Sequence, residues 1–366
     1  MKRPLGTALS LAAIALLAGT TAWADEEKVL NVYNWSDYIA EDTIANFEKE
    51  TGIKVNYDVF DSNEVLESKL LAGNTGYDVV VPSGSFLERQ IEAGVFQKLD
   101  KAKLSNYGNL DKDILARVSV HDPNNAYAIP YMWGTTGFGY NIDMIKERMP
   151  DAPVDSWAMI FDPKVVSKFA DCGVTLLDAP GEVLEIASNY LGLDPHSENP
   201  DDLKKAEDLV MSIRPYIKYF HSSQNINDLA NGDICLAMGW SGDMLIARDR
   251  AAEADQGVDI AYVIPKEGTV IWFDLLAIPK DAPHPDNAHK FLNYIMEPQV
   301  VADISDYVFY ANANAAATEL VDEEVTSDPG IYPPEDVKSK LFADKVVSPK
   351  MDRLRTRAWT RIKTGQ

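Results

Sequence analysis

Residues 29–81 read VLNVYNWSDYIAEDTIANFEKETGIKVNYDVFDSNEVLESKLLAGNTGYDVVV. Val29 to Trp35 has the apolar run of a buried strand, Asp42 to Glu50 the pattern of an amphipathic helix closed by Gly52, and Ile53 to Phe60 that of a second strand. Glu64 to Ala72 reads as helix up to Gly73, Tyr77 to Val81 as a short apolar strand, and Phe86 to Ala93 as a helix stopped by Gly94. Strand and helix alternate about every 25 residues, which calls for an α/β fold with right-handed crossovers and a mostly parallel sheet covered on both faces. Ligands of such sheets bind beyond the carboxyl ends of the strands. The segments lying there are Trp35-Ser36-Asp37-Tyr38, Phe60-Asp61 and Pro82-Ser83-Gly84-Ser85.

Outward from this stretch the texture changes near Ala128, where Ile129-Pro130-Tyr131-Met132-Trp133 runs into Gly134-Thr135-Thr136-Gly137-Phe138-Gly139-Tyr140. That is too rich in glycine for an ordinary core strand and reads as a chain crossing between two lobes. Val174 to Leu177 and Ile234 to Met238 look like strands of a second sheet, with helix between them including Leu203 to Ile213. Strand pattern resumes at Ile260 to Ile264 and Val270 to Ile278, followed by a helix near Asn287 to Met296. The expected division is a first lobe of residues 25–133 plus about 260–305 and a second of about 138–256 plus about 310–366. Crossings are expected near 134–137, 257–259 and 306–309.

Lys2 and Arg3 precede an apolar run from Ala8 to Ala18, and Ala22-Trp23-Ala24 has small residues where a signal peptidase reads. Residues 1–24 are therefore expected to be a secretory signal cleaved before Asp25; the run is too short for a membrane anchor, and Thr20 offers no thiol for acylation. The 366 residues, 46 % hydrophobic and 25 % charged, suit a soluble protein of two ordinary domains. Subtracting 57 acidic from 34 basic side chains gives −23, and a surface so acidic repels nucleic acid. An exported chain with only Cys172 and Cys235 is expected to pair them, two buried thiols being the alternative. Two cysteines are too few for a metal site.

The chain carries no H-E-x-x-H, no G-x-x-x-x-G-K-[ST], no G-x-G-x-x-G and no G-x-S-x-G, and its five histidines read as solvent-facing, none beside a nucleophile. What recurs is an aromatic residue next to an acid at a strand end: Trp35 with Asp37 and Tyr38, Trp240 with Asp243, and Trp272-Phe273-Asp274. Strand alternation puts Trp272 and Asp274 on one face and turns Phe273 to the core. An ammonium group needs a carboxylate to accept its hydrogen bonds and aromatic faces to hold its charge and its desolvated methylenes. A sugar, bound by stacked aromatics and acids, is the closest competitor, and paired carboxylates of an exported hydrolase are a further alternative. A carboxylate ligand calls for a guanidinium clamp, and these loops hold no Arg.

With these residues assembled, the chain resembles a periplasmic polyamine-binding protein, the receptor of a bacterial putrescine and spermidine ABC importer. The resemblance runs from about Val29 to the C-terminus on VYNWSDYI (32–39), FHSSQNINDLANGDICLAMGWSGDM (220–244), WFDLLAIP (272–279) and VFYANAN (308–314). It implies a type II periplasmic-binding-protein fold, two α/β lobes closing on ligand, in a monomer that needs no cofactor and serves an integral-membrane permease with a cytoplasmic ATPase. It further implies that Trp35, Tyr38, Trp240, Trp272 and Tyr310 box the methylene chain. Asp37, Glu182, Asp243 and Asp274 would meet the ammonium groups, with Ser36 and Ser83 as hydrogen-bonding neighbours, and Cys172 and Cys235 match the family's disulfide positions. Trp272 is a departure, since the putrescine receptors that the chain resembles commonly have Phe there. A larger ring that narrows the cleft, with four acids where a diamine has two charges, leads us to expect spermidine to be favoured over putrescine.

Overall fold

The computed structural model describes residues 26–365; the expected signal segment 1–24 and its cleavage before Asp25 lie outside the described residues. Eleven strands occur among them: β1 (Val29–Trp35), β2 (Lys54–Phe60), β3 (Val79–Val80), β4 (Ala128–Asn141), β5 (Val174–Leu176), β6 (Ile217–Phe220), β7 (Leu236–Trp240), β8 (Ile260–Val263), β9 (Val270–Ala277), β10 (Ala311–Asn312) and β11 (Phe342–Ala343). In the first lobe β1 pairs in parallel with β2 and β3, and β9 enters antiparallel between β3 and the first half of β4. The second lobe repeats the plan, with β5 parallel to β6 and β7, and the second half of β4 antiparallel between β7 and β8. Each sheet thus joins three parallel strands to one antiparallel strand arriving from the other lobe. The fold is the two-lobed α/β arrangement of periplasmic binding proteins.

The glycine-rich stretch is itself strand. Within β4, Ala128–Thr135 pairs with β9 and Thr136–Asn141 with β7 and β8, so one continuous strand serves both lobes. Its glycines are needed because neighbours press on it from both sides. A Cβ at Gly134 would lie 2.7 Å from Ser241 Oγ and from the Trp272 ring, one at Gly139 2.6 Å from Met244 Sδ, and one at Gly137 would overlap the Val263 carbonyl oxygen.

The structure corrects two of the expected crossings. β8 still pairs with the second half of β4 (Asn141↔Ile260 to Phe138↔Val263), so the chain returns to the first lobe after Val263 and not at 257–259. β10 pairs with Trp133 and Met132 in the first lobe, and Asp322 N still donates to Asp306 Oδ1 there. Arg248 in the second lobe holds Asp328, so the last crossing follows residue 322 and not 306–309. Alternation marks a strand without saying which sheet it joins.

The buried apolar residues form one cluster that runs through both lobes. Phe47 stands edge-on to Phe291 in the first lobe, and Trp157 packs on Phe138 and Phe161 in the second. Cys235 directly precedes β7 and Cys172 stands two residues before its paired strand β5, which brings them together as a disulfide with a sequence separation of 63 in the second lobe. The solvent-facing reading fails for two histidines. His121 is buried against Glu88, and buried His289 accepts the Asp100 N–H at Nε2 and donates from Nδ1 to Pro285 O. Each ties loop to helix by hydrogen bonds, which a polar sequence context alone does not reveal.

Candidate functional site

A cavity of about 350 Å³ opens between the lobes at the carboxyl ends of β1, β3 and β7. Ten of the eleven residues singled out in the sequence line it: Trp35, Ser36, Tyr38, Ser83, Glu182, Trp240, Asp243, Trp272, Asp274 and Tyr310. Trp35 ends β1, anchored by Nε1 on Val81 O at 2.8 Å, and meets Trp240, the last residue of β7, edge to face at 5.4 Å. Tyr310 follows the helix Pro298–Val308, whose end is capped by Phe309 in the left-handed region (φ 55). Its ring stands edge-on to Tyr38 at 5.1 Å and to Trp272 at 5.3 Å. These aromatic residues form two contacting groups, Trp35 with Trp240 and Tyr310 with Tyr38 and Trp272, that together wall the cavity.

Three carboxyl groups sit in this wall. Asp274, on β9 and 4 % exposed, accepts from Ser83 Oγ at 2.6 Å and Tyr38 Oη at 2.8 Å. Asp243, in the first turn of helix Ser241–Ala254, accepts from Tyr310 Oη at 2.7 Å, while its own N–H donates back to that hydroxyl at 3.1 Å. Glu182, in the first turn of helix Pro180–Tyr190, accepts from Thr136 Oγ1 and from Trp240 Nε1 at 3.2 Å. Burial pushes each of the three up to about 7 against the lowering effect of these hydrogen bonds. None has an ion-pair partner among the described residues. Arg89, Lys345 and Arg355 also line the cavity, but Arg89 is paired with Glu67 and Arg355 with Glu185, and none of the three cations is within ion-pair distance of these carboxyls.

The acids are set along the cleft by strand register. Asp274 lies opposite Met132 on β4, Trp272 opposite Gly134, and the Glu182 carboxyl is bonded to Thr136. The levels of Asp274 and Glu182 are therefore four residues apart on one strand, roughly 13 Å at about 3.3 Å per residue.

Asp37 is the one expected residue that does not line the cavity. Its backbone is in the left-handed region (φ 53), and its carboxylate pairs with Arg250 Nη2 of the second lobe at 2.5 Å. Arg250 belongs to helix Ser241–Ala254 and not to one of the strand-end loops. Sequence reading also missed Glu185, Asp344 and Ser85 in the lining. Glu185 follows Glu182 by three residues on one helix face, a spacing that could have flagged it. Asp344 follows a strand of two residues, too short to show any period.

Residues 42–333 match the model of the bacterial extracellular solute-binding protein family. The chain is 59 % identical to the putrescine-binding periplasmic protein of Escherichia coli (strain K12), over 100 % of this chain and 99 % of that one. It is 55 % identical to the putrescine-binding periplasmic protein of Pseudomonas aeruginosa (strain UCBPP-PA14) over the whole of both chains. At 36 % it matches the spermidine/putrescine-binding periplasmic protein of Escherichia coli over 88 % of each. The solved spermidine/putrescine ABC transporter substrate-binding protein of Streptococcus pneumoniae superposes with a TM-score of 0.73 at 28 % identity, covering 92 % of this chain and 99 % of that one. With its cleft, its acids and these likenesses together, the chain belongs to the bacterial extracellular solute-binding proteins, in the branch of the periplasmic polyamine-binding receptors of ABC importers.

Proposed function

We propose that this receptor captures spermidine in preference to putrescine and hands it unchanged, as a monomer, to a membrane permease driven by a cytoplasmic ATPase. The observation that carries the polyamine reading is the set of three carboxyls, Asp243 and Asp274 buried and Glu182 part-buried, none of which has an ion-pair partner among the described residues. A bound polycation supplies the missing charge, and the aromatic wall holds its methylenes. A neutral sugar would leave all three without a counter-charge.

Length favours the triamine. Nine bonds separate the terminal nitrogens of spermidine and five those of putrescine, so at about 1.2 Å per bond the extended spans are roughly 11 and 6 Å. A triamine bridges the ~13 Å between the Asp274 and Glu182 levels with hydrogen bonds directed to the walls; a diamine does so only with both bonds stretched in line. Putrescine is the second reading, supported by the names of the relatives at 59 % and 55 % identity. Paired calorimetric titrations of wild type and Trp272→Phe with both ligands decide between them. Tighter spermidine binding, with the ratio moved toward putrescine in the variant, is expected. Wild type preferring putrescine, or an unchanged ratio in the variant, would show that Trp272 does not set ligand length.

A further inference from the structure

Helix Pro349–Thr364 reverses the charge of the rest of the protein. Six basic residues stand on it against one acid, Asp352, so it carries 6 − 1 = +5 in a chain of net charge −23. Three of the six are paired with acids of the second lobe: Arg355 is buried against Glu185, Arg361 holds Glu207 at 2.6 Å and Lys363 holds Asp178 at 2.6 Å. Lys350, Arg353 and Arg357 are exposed and have no ion-pair partner among the described residues. Their spacing of three and then four residues sets them in one stripe, about 10 Å long at about 1.5 Å per residue. The stripe lies on the side of the helix opposite buried Met351, Ala358 and Ile362.

Helix stability does not account for these three cations. Lys350 stands in the first turn, where the positive end of the helix dipole disfavours a cation, whereas Arg361 and Lys363 in the last turn complement the dipole. Lys350 with Arg353, and Arg353 with Arg357, are like-charged neighbours on one face, an arrangement that weakens a helix. The stripe therefore opposes the fold slightly, in a protein with acids enough to have paired it. Its place is at the cleft. Asp352 and exposed Thr356 line the cavity, so the helix forms a lip of the cavity mouth. From the first lobe, Arg89 on helix Gly84–Glu92 reaches across to Asp352 at 3.4 Å, which puts the stripe beside the seam between the lobes.

We propose that Lys350, Arg353 and Arg357 form a docking stripe for an acidic periplasmic segment of the membrane permease, holding the mouth of the loaded cleft to the transporter. The inference rests on the receptor reading above and adds the surface by which delivery is oriented. An acidic segment is repelled by a protein of net charge −23 and attracted at this stripe, so charge complementarity fixes which face docks.

The test uses the cognate permease–ATPase complex in lipid nanodiscs and reads ATP hydrolysis against the concentration of spermidine-loaded receptor. Wild type is compared with the charge-reversed triple variant Lys350→Glu, Arg353→Glu, Arg357→Glu. The receptor concentration for half-maximal stimulation should rise roughly tenfold in the variant, and raising salt from about 50 to about 300 mM should weaken wild type more than the variant. Spermidine affinity by calorimetry and the melting temperature of the unliganded variant should match wild type, because the three side chains touch neither cavity nor core. The triple glutamine variant, which removes the charges without adding acids beside Asp352, should show a smaller rise in the same direction. Half-maximal concentrations within about twofold of wild type in both variants would overturn the stripe. Stripe-dependent flotation of wild type with phosphatidylglycerol vesicles would overturn a protein partner in favour of lipid headgroups. Wild type that binds polyamine but never stimulates hydrolysis would overturn the receptor reading, and the stripe with it.

Discussion

Replacing Asp274 by asparagine should weaken the liganded protein and spare the unliganded one. In the unliganded protein this carboxyl is held by Ser83 and Tyr38 but faces no cation, and burial moves it from its ordinary 3.8 to about 7. The folded chain therefore keeps a proton that the unfolded chain loses between about pH 4 and 7, so this group's contribution to stability falls as pH rises through that window. Above it the ionised carboxylate costs about 4 kcal/mol, an order-of-magnitude figure for a shift of this size. Asparagine carries no such charge and still offers an oxygen to one hydroxyl, while the other hydroxyl can turn to accept from the amide. At pH 8 the unliganded variant should melt no lower than wild type. Binding should suffer by the worth of a charge-assisted hydrogen bond, about 1.5–3 kcal/mol, or roughly a tenfold to hundredfold loss of affinity, more than any other single change in the wall. Melting curves with and without spermidine, together with calorimetry, read both effects. Affinity within a factor of two of wild type, or an unliganded variant several degrees less stable, would refute the assignment of Asp274 as a charge held ready for a cation.

The three carboxyls at about 7 should bind protons that a polyamine expels, so calorimetry at pH 6.5 in buffers of different ionisation enthalpy should show proton release, with affinity falling from pH 8 to 5.5; no release at pH 6.5 would contradict it. The native protein should show no reactive thiol until denatured and reduced, and reducing the 63-residue loop should lower stability by about 4 kcal/mol, measured by denaturant unfolding with and without reductant. Gly137→Ala forces a Cβ onto the Val263 carbonyl where β4 meets β8 and should destabilise the fold by about 1–3 kcal/mol, read in the same unfolding experiment; wild-type stability would show that β8 can move aside.

The parts of the fold legible in sequence were those with long periods. β1, β2 and the helices after them, Thr43–Thr51 and Asn63–Ala72, show as alternation closed by glycines; eight of the ten cavity residues lie in the quoted strings, Ser83 follows the short apolar strand β3, and Glu182 came from the resemblance alone. Lobe membership was not legible for β8 and β10, because four or two residues of strand carry no mark of their partner. Asp37 sits among cavity residues in sequence, yet one residue with positive φ turns its side chain to Arg250. Asp344 reaches the cleft only through the pairing of β11 with β9 across some 70 residues of chain, a long-range contact that local pattern cannot express.

The most direct measurement is a calorimetric titration of wild type with spermidine at pH 7.5, followed by chromatography of the recovered ligand. The expected result is saturable one-to-one binding, tighter than for putrescine, with every ligand molecule recovered intact. Absence of saturable heat with either polyamine, or recovery of a cleaved product, would contradict a receptor whose buried carboxyls await a cation.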